Sequence, residues 1–255
     1  MLYIKKTSPP AEYVREIAKL KSTKEWRDLS DVDTDAIRHT FDALPKDMVR
    51  ASLLEDQHYL CAYCMRAIKN DEHTTIEHFK PLSSGKEAAL DYNNFLAVCD
   101  GGQSTDVQNT RRILCCDASK GNQSLSVLNP LDAEITSHIS YTRQGTIQYI
   151  CPQDWDAEKK KAVDEDINKT LRLNGQVDKD HCTIRDTATM LVKNRKDAYE
   201  TYTRLILRLN KQGKLTTARL EKEIQQLLDK QIRQEYTGVI VFFLKRKQRT
   251  LLGQR

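Results

Sequence analysis

A chain of 255 residues is long enough for one large domain or two small ones, so it needs no disulfide framework to hold a core together. Its formal charge of +5 is unevenly placed: Lys5, Lys6, Lys19, Lys21 and Lys24 sit near the front, and Lys245, Arg246, Lys247, Arg249 and Arg255 near the end. Such runs attract phosphate backbones or serve solubility alone. "MLYIKKTSPP" has no apolar run behind its lysines, which argues against a signal or transit peptide, and 238–244 is far short of the roughly 20 apolar residues that cross a bilayer. A cytoplasmic protein without membrane contact is expected.

Pro9 and Pro10 open a helix carrying Tyr13, Val14, Ile17, Ala18 and Leu20 on one stripe. Asp33 or Thr34 caps a second with Ile37, Phe41 and Leu44, and after Pro45 a third runs from Met48 to Gln57. Residues 1–57 thus form a helical shell. From 58 to 124 the texture changes to short strands and turns, with loops marked by Pro81 to Gly85 and by Gly101 and Gly102. Residues 125–153 hold a hairpin turning at Gln144-Gly145, and a linker. From 154 to 255 the chain is helical again. Ile184, Ala188, Leu191, Tyr199, Tyr202, Leu205, Ile206 and Leu209 share one long helix stopped at Gln212-Gly213, and Leu220, Ile224, Leu227, Leu228 and Ile232 share a second. The run "GVIVFFL" reads as a short buried strand ahead of a basic tail. The expected class is α+β, mainly helical, with an embedded small β-containing module.

Five of the seven cysteines fall between Cys61 and Cys116, while Cys151 and Cys182 stand alone, a pattern that favours metal over disulfides. Cys61 and Cys64 make a knuckle in "CAYC", and Cys99 and Cys116 can supply two more thiolates to a tetrahedral zinc. Four sulfurs leave no open position, so this Zn²⁺ is structural. Cys115 adjoins Cys116 and sequence alone does not decide between them; Cys116 is preferred because it directly precedes "DASK".

Within this frame lie Glu77 and His78 in "TTIEHFKP", Asn94 in "DYNNFLAVC" and Asp117 in "CCDASKGN". A neutral imidazole can take a proton from water, and carboxylates bind hard divalent ions. Asn94 can hold His78 directly or fix the loop that carries it. Neighbours on a strand face opposite ways, so Glu77 and His78 address one phosphate only if the strand is distorted near Pro81. Alone, Glu77-His78 is a surface pair; a second carboxylate set beside a zinc thiolate is what gives it chemistry.

The stretch from Cys61 to Lys120 resembles an HNH nuclease of the ββα-metal fold in its four-cysteine form, through "IEHFKP", "NFLAVC" and "CDASK". The resemblance implies His78 as general base, Glu77 and Asp117 as ligands of a catalytic Mg²⁺ or Mn²⁺, and Asn94 as the central Asn. Two departures stand out. Asp117 occupies a place usually held by His or Asn, and the Cys99 to Cys116 gap replaces a compact Cys-x-x-Cys with an insertion containing Arg111 and Arg112. These arginines and Lys120 are candidate phosphate contacts; their plainer readings are a salt-bridged loop and a surface lysine. Over most of the chain, "MLYIKKTSPP", "CDASKGN", "LNPLD", "HISYTRQGTI" and "KNRKDAY" resemble the PtuB-type HNH components of Septu antiphage defence, which also occur beside retrons. That likeness implies a PtuA-like ABC-type ATPase partner docked on the helices after Asp154 and the N-terminal shell, and extends to a retron reverse transcriptase with its RNA/DNA product. No Gly-rich phosphate loop is present to hydrolyse ATP in this chain. The expected function is a metal-dependent endonuclease, with DNA favoured and structured RNA such as tRNA the alternative. A different class is a zinc-stabilised nucleic-acid-binding protein or scaffold that does not cleave.

Overall fold

The computed structural model describes residues 1–104, 112–178 and 183–253. The protein is mainly helical, α+β, with three separate two-stranded antiparallel sheets among the described residues. Four helices open the chain: α1 (Ala11–Lys21), α2 (Lys24–Asp28), α3 (Thr34–Asp42) and α4 (Lys46–Asp56). Asp33 caps α3 by accepting from the Ala36 N–H at 3.0 Å, and α4 starts two residues ahead of the expected Met48. The short α2, capped by Thr23, has too few residues to show a period in the sequence. These helices bury Tyr13, Trp26, Ile37, Phe41, Val49, Leu53 and Leu54.

The central sheet pairs β1 (Thr74–His78) with β2 (Phe95–Cys99), setting Glu77 opposite Leu96 and His78 opposite Phe95. All five residues of β2 are buried. On its far side the Gln57 amide stands in for a third strand. It donates to the Ala97 carbonyl at 2.7 Å and accepts from the Ala97 N–H at 2.8 Å. Between β1 and β2 run a 3₁₀ turn at Leu82–Ser84, α5 (Lys86–Ala89) and a second 3₁₀ turn at Tyr92–Asn94. After β2 the chain leaves through Gly101 and Gly102 and returns at Ile113. There the Cys115 N–H donates to the Gly101 carbonyl at 3.1 Å, just ahead of α6 (Asp117–Lys120).

Beyond α7 (Ala133–Ser137) comes the expected hairpin, β3 (Ile139–Tyr141) with β4 (Ile147–Tyr149). It is followed by α8 (Ala157–Glu165), which ends in a π turn at Asp166–Thr170. The buried Asp166 carboxylate accepts backbone N–H groups from Ser126, Val127 and Leu128, tying this helix end to the segment after α6. Next, β5 (Gln176–Asp178) pairs with β6 (Thr183–Arg185).

Three expectations for the C-terminal region are corrected. Ile184 and Ala188 do not belong to the long helix, α9 (Leu191–Lys211), because Asp186 halts it. The Asp186 carboxylate accepts from the Thr187, Val192 and Lys193 N–H groups, and Met190 enters with φ 55. The run at 238–244 is not a strand but the first two turns of α11 (Thr237–Leu251), packed against α9 and α10 (Thr217–Leu228). A short apolar run fits a strand or a helix buried on all sides, and only its continuation through 245–251 separates them. Ile232 lies past the end of α10 and is exposed. Among the described residues no helix is long and apolar enough to cross a membrane.

Gly101 shows how tightly the returning segment is held. Its φ is +62, and a Cβ there would lie 2.2 Å from the Cys115 carbonyl oxygen. Gly101→Ala is therefore expected to cost at least about 2 kcal/mol, from strain plus the clash, read as a fall in thermal midpoint with loss of bound zinc.

Candidate active site and metal centre

Cys61, Cys64, Cys99 and Cys116 are all buried, with sulfur atoms within 4.8 Å of one another. The Cys61 to Cys116 and Cys64 to Cys99 separations are 3.9 and 3.8 Å. A tetrahedral zinc with bonds of about 2.3 Å needs sulfur edges of roughly 3.8 Å, so the four thiols fit a structural zinc without rearrangement. Cys115 is not in this set. Its sulfur lies 3.4 Å from the Thr189 hydroxyl and 3.6 Å from the Gly101 carbonyl.

The knuckle has the backbone such a site requires. The Met65 N–H donates to the Cys61 carbonyl at 3.0 Å and the Arg66 N–H to the Cys64 sulfur at 3.5 Å, with Met65 at φ 64. Cys116 sits at φ 55 and ψ −137, a conformation rare for a residue with a side chain. Cys115 stays outside the set of four but borders it, its thiol interacting with Cys99 and Cys116, and the Cys116 N–H is held by the Leu171 carbonyl at 2.9 Å.

From this clasp a second group of side chains is hung. Tyr63, between the knuckle cysteines, donates its hydroxyl to Glu77 Oε1 at 3.2 Å, and the Lys120 ammonium lies 2.7 Å from the same oxygen. Glu77 also shares a hydrogen bond with Asp117, the residue after Cys116. Burial raises the Glu77 carboxyl to about 8, Asp117 adds to the rise, and Lys120 opposes it. Lys120 is thus neither an ordinary surface lysine nor a free phosphate contact. It is 1% exposed, with its ammonium on Glu77 and on the His78 carbonyl at 3.2 Å.

His78 is positioned by other elements. Its ring packs edge-on against Phe41 of α3 at 4.5 Å and Phe95 of β2 at 5.1 Å. His78 Nε2 lies 3.0 Å from the Ala89 carbonyl. A carbonyl only accepts, so Nε2 carries the hydrogen and Nδ1 keeps the lone pair of the neutral ring. Among the described residues Nδ1 has no partner. Burial lowers the imidazole to about 4, with Arg38 and Lys120 contributing, so it is neutral at pH 7.

Of the two roles open to Asn94, the structure shows the second. Its amide donates to the Lys80 and Ala88 carbonyls, both at 2.9 Å, and accepts from the Lys80 N–H at 2.7 Å. It pins both ends of the loop that carries Pro81 and delivers the Ala89 carbonyl to His78. Glu77, His78 and Asp117 line one cleft of about 270 Å³, with Arg38, Thr75, Gln103 and Asn122 on its walls. Arg112 reaches the rim, donating to the Gln103 carbonyl at 3.1 Å, and Arg111 lies outside the described residues. Sequence reasoning missed Tyr63 and Arg38. Tyr63 is legible in hindsight as the middle of a knuckle beside an acidic strand, whereas Arg38 sits in a helix remote from the motif.

No protein-family model matches the chain. Among curated proteins, "Retron Ec83 putative HNH endonuclease" of Escherichia coli is 36% identical over 81 residues, covering 29% of this chain and 31% of that protein. The chain is thus a distant homologue of an HNH-endonuclease-like, retron-associated protein, matched over about a third of that protein's length.

Two outcomes follow from this geometry. Cys116→Ser should lose stoichiometric zinc and fold poorly, while Cys115→Ser keeps both metal and thermal midpoint, as read by metal analysis and melting. Separately, a proton competes for Glu77 below about pH 8. Were Glu77 to ligate a divalent ion, Mn²⁺ affinity, followed by electron paramagnetic resonance, would rise about tenfold per pH unit towards 8 and then level. Glu77→Gln should flatten that profile.

Proposed function

We propose that the protein is a metal-dependent HNH-type endonuclease that hydrolyses phosphodiester bonds of nucleic acid. One observation carries this reading: a single cleft joins an imidazole with Nε2 engaged and Nδ1 without a partner among the described residues to two carboxylates, the buried Glu77 and the half-buried Asp117. The chain order β1, β2, α6 around a four-cysteine clasp supports a ββα-metal module, as does the E. coli relative.

In this reading His78 Nδ1 removes a proton from water as the water oxygen bonds to phosphorus. The ester bond to the leaving oxygen breaks, and that oxygen is protonated from solvent. Glu77 and Asp117 would hold one Mg²⁺ or Mn²⁺, which when bound would supply positive charge to the phosphate and the leaving oxygen. Two carboxylates leave most of the coordination sphere to water and phosphate oxygens, the usual habit of Mg²⁺. Lys120 keeps Glu77 in place, and Asn94 holds the loop that orients His78.

Charge distribution supports a polyanionic substrate. From residue 191 onward there are 16 Lys and Arg against 6 Asp and Glu, whereas the preceding residues are net acidic. The front lysines are largely spent on ion pairs, Lys6 with Asp56, Lys19 with Glu16, Lys21 with Glu87 and Lys24 with Asp28. The basic end is thus the stronger attractor. Kinship with PtuB-type components, an ABC-type ATPase docked on the C-terminal helices and a retron reverse transcriptase extend this proposal on sequence likeness alone.

The test is cleavage of plasmid DNA and of total cellular RNA with added Mg²⁺ or Mn²⁺, with and without the ATPase encoded beside the gene. His78→Ala should keep its zinc and its melting temperature yet lose about 10²- to 10⁴-fold in single-turnover rate. Cleavage by that variant at the wild-type rate would remove His78 from the mechanism.

A further inference from the structure

The cleft contains a cation that the mechanism so far leaves idle. Among the described residues that line it, Arg38 is the single Lys or Arg, and it makes no hydrogen bond or ion pair with any described residue. Lys120 cannot serve in its place, because its ammonium is buried against Glu77.

Arg38 is exposed but its backbone is fixed. On one side Ile37 is buried in a small cluster with Leu82 and Ala89, the residue whose carbonyl orients His78. Three residues on, Phe41 packs on the His78 ring. Positions i and i+3 of a helix share a face, so α3 carries Arg38 to the same wall of the cleft as the base. The Arg38 charge acts on the imidazole, helping to keep it neutral.

A charge count gives this placement a purpose. With Glu77 and Asp117 ionised, Lys120 charged and one divalent ion bound, the site holds a single net positive charge, which one phosphodiester cancels. Attack of water places a second negative charge on the phosphoryl group while its proton passes to His78; that imidazolium faces the attacking oxygen, which leaves Arg38 as the remaining cation on the described walls of the cleft that can meet the non-bridging oxygens. We propose that Arg38 is the phosphate clamp of this cleft, donating guanidinium N–H groups to a non-bridging oxygen of the scissile phosphodiester. The proposal rests on the nuclease reading and adds a substrate-contacting residue from outside the Cys61 to Lys120 stretch.

The experiment compares wild type, Arg38→Ala and Arg38→Lys, each confirmed folded by zinc content and melting. Single-turnover cleavage is measured on whichever of plasmid DNA and total RNA the wild type cuts. Binding of a fluorescent oligonucleotide of the same type is measured in the His78→Ala background from about 50 to 200 mM salt. Arg38→Ala should lose about 10²- to 10³-fold in cleavage rate, and its plot of log affinity against log salt should be shallower by about 0.9 for duplex or 0.7 for single strands. Arg38→Lys should retain the slope and recover part of the rate, because it keeps the charge but loses the two-pronged contact. If wild type cuts and Arg38→Ala matches it in both rate and slope, Arg38 is a solvated surface residue and the clamp is wrong. If wild type neither binds nor cuts nucleic acid, the nuclease reading and the clamp fall together.

Discussion

Four buried sulfurs within 4.8 Å of one another form a cluster that is costly for the chain unless a cation holds it together. As thiolates they repel one another in a medium that screens poorly. Bound to zinc they become the strongest tie in this region, since structural sites of this kind return on the order of 10 to 16 kcal/mol to folding. That energy can hold Cys116 in its rare backbone conformation and seat the long excursion between Cys99 and Cys116 at its two ends. A tetrathiolate zinc still carries two negative charges. Arg195, fully buried with no carboxylate among its hydrogen-bond partners, and Arg66, paired with Asp100 at 3.4 Å, supply positive charge that the Cys64 sulfur feels.

The clasp also fixes the chemistry, by adjacency along the chain. Tyr63 lies between two ligands, Asp117 follows a third, and Lys120 ends the single helical turn that Asp117 begins. All three converge on Glu77. The base is independent of this route: Phe41, Phe95, the Ala89 carbonyl and the Asn94 staple fix His78 from the helical shell and β2. The strand alternation that separates Glu77 from His78 is therefore useful. Each side chain is anchored in its own surroundings, and the two meet at the cleft.

Much of the site is legible in the sequence because its parts are short-range. A knuckle, a Glu-His step and a Cys-Asp step each declare their chemistry within a few residues, and α1 and α3 announce themselves by period. What escapes depends on tertiary placement. Nothing near Lys120 marks it as buried, because its partner lies 43 positions away on β1. Arg38 looks like any helical surface arginine until α3 is packed on His78. The apolar run at 238–244 conceals its helical state because all but one of its residues are buried, which removes the polar face that would show a period. The π turn after α8 depends on Asp166 reaching three N–H groups some 40 residues earlier.

Burial drives two groups of the cleft in opposite directions, freeing the imidazole of its proton and leaving one on the carboxyl. Desolvation penalises charge, so it lowers His78 to about 4 and raises Glu77 to about 8. For His78 the depressed value means that the folded protein favours the neutral ring, an advantage present above about pH 6.5 and lost as pH falls through 4. For Glu77 the raised value means that the metal-free fold favours the protonated acid, an advantage lost as pH climbs through 8. Near neutrality the cleft thus holds a bare imidazole and a carboxyl that still keeps its proton. On the proposed reading, a divalent cation held by Glu77 and Asp117 would have to displace that proton. The same event leaves the uncharged His78 beside a more positive site, where protonation is harder still. On the proposed reading, His78 would then depend on a negatively charged substrate to offset that field, and charge balance would tie proton removal from water to an occupied phosphate site.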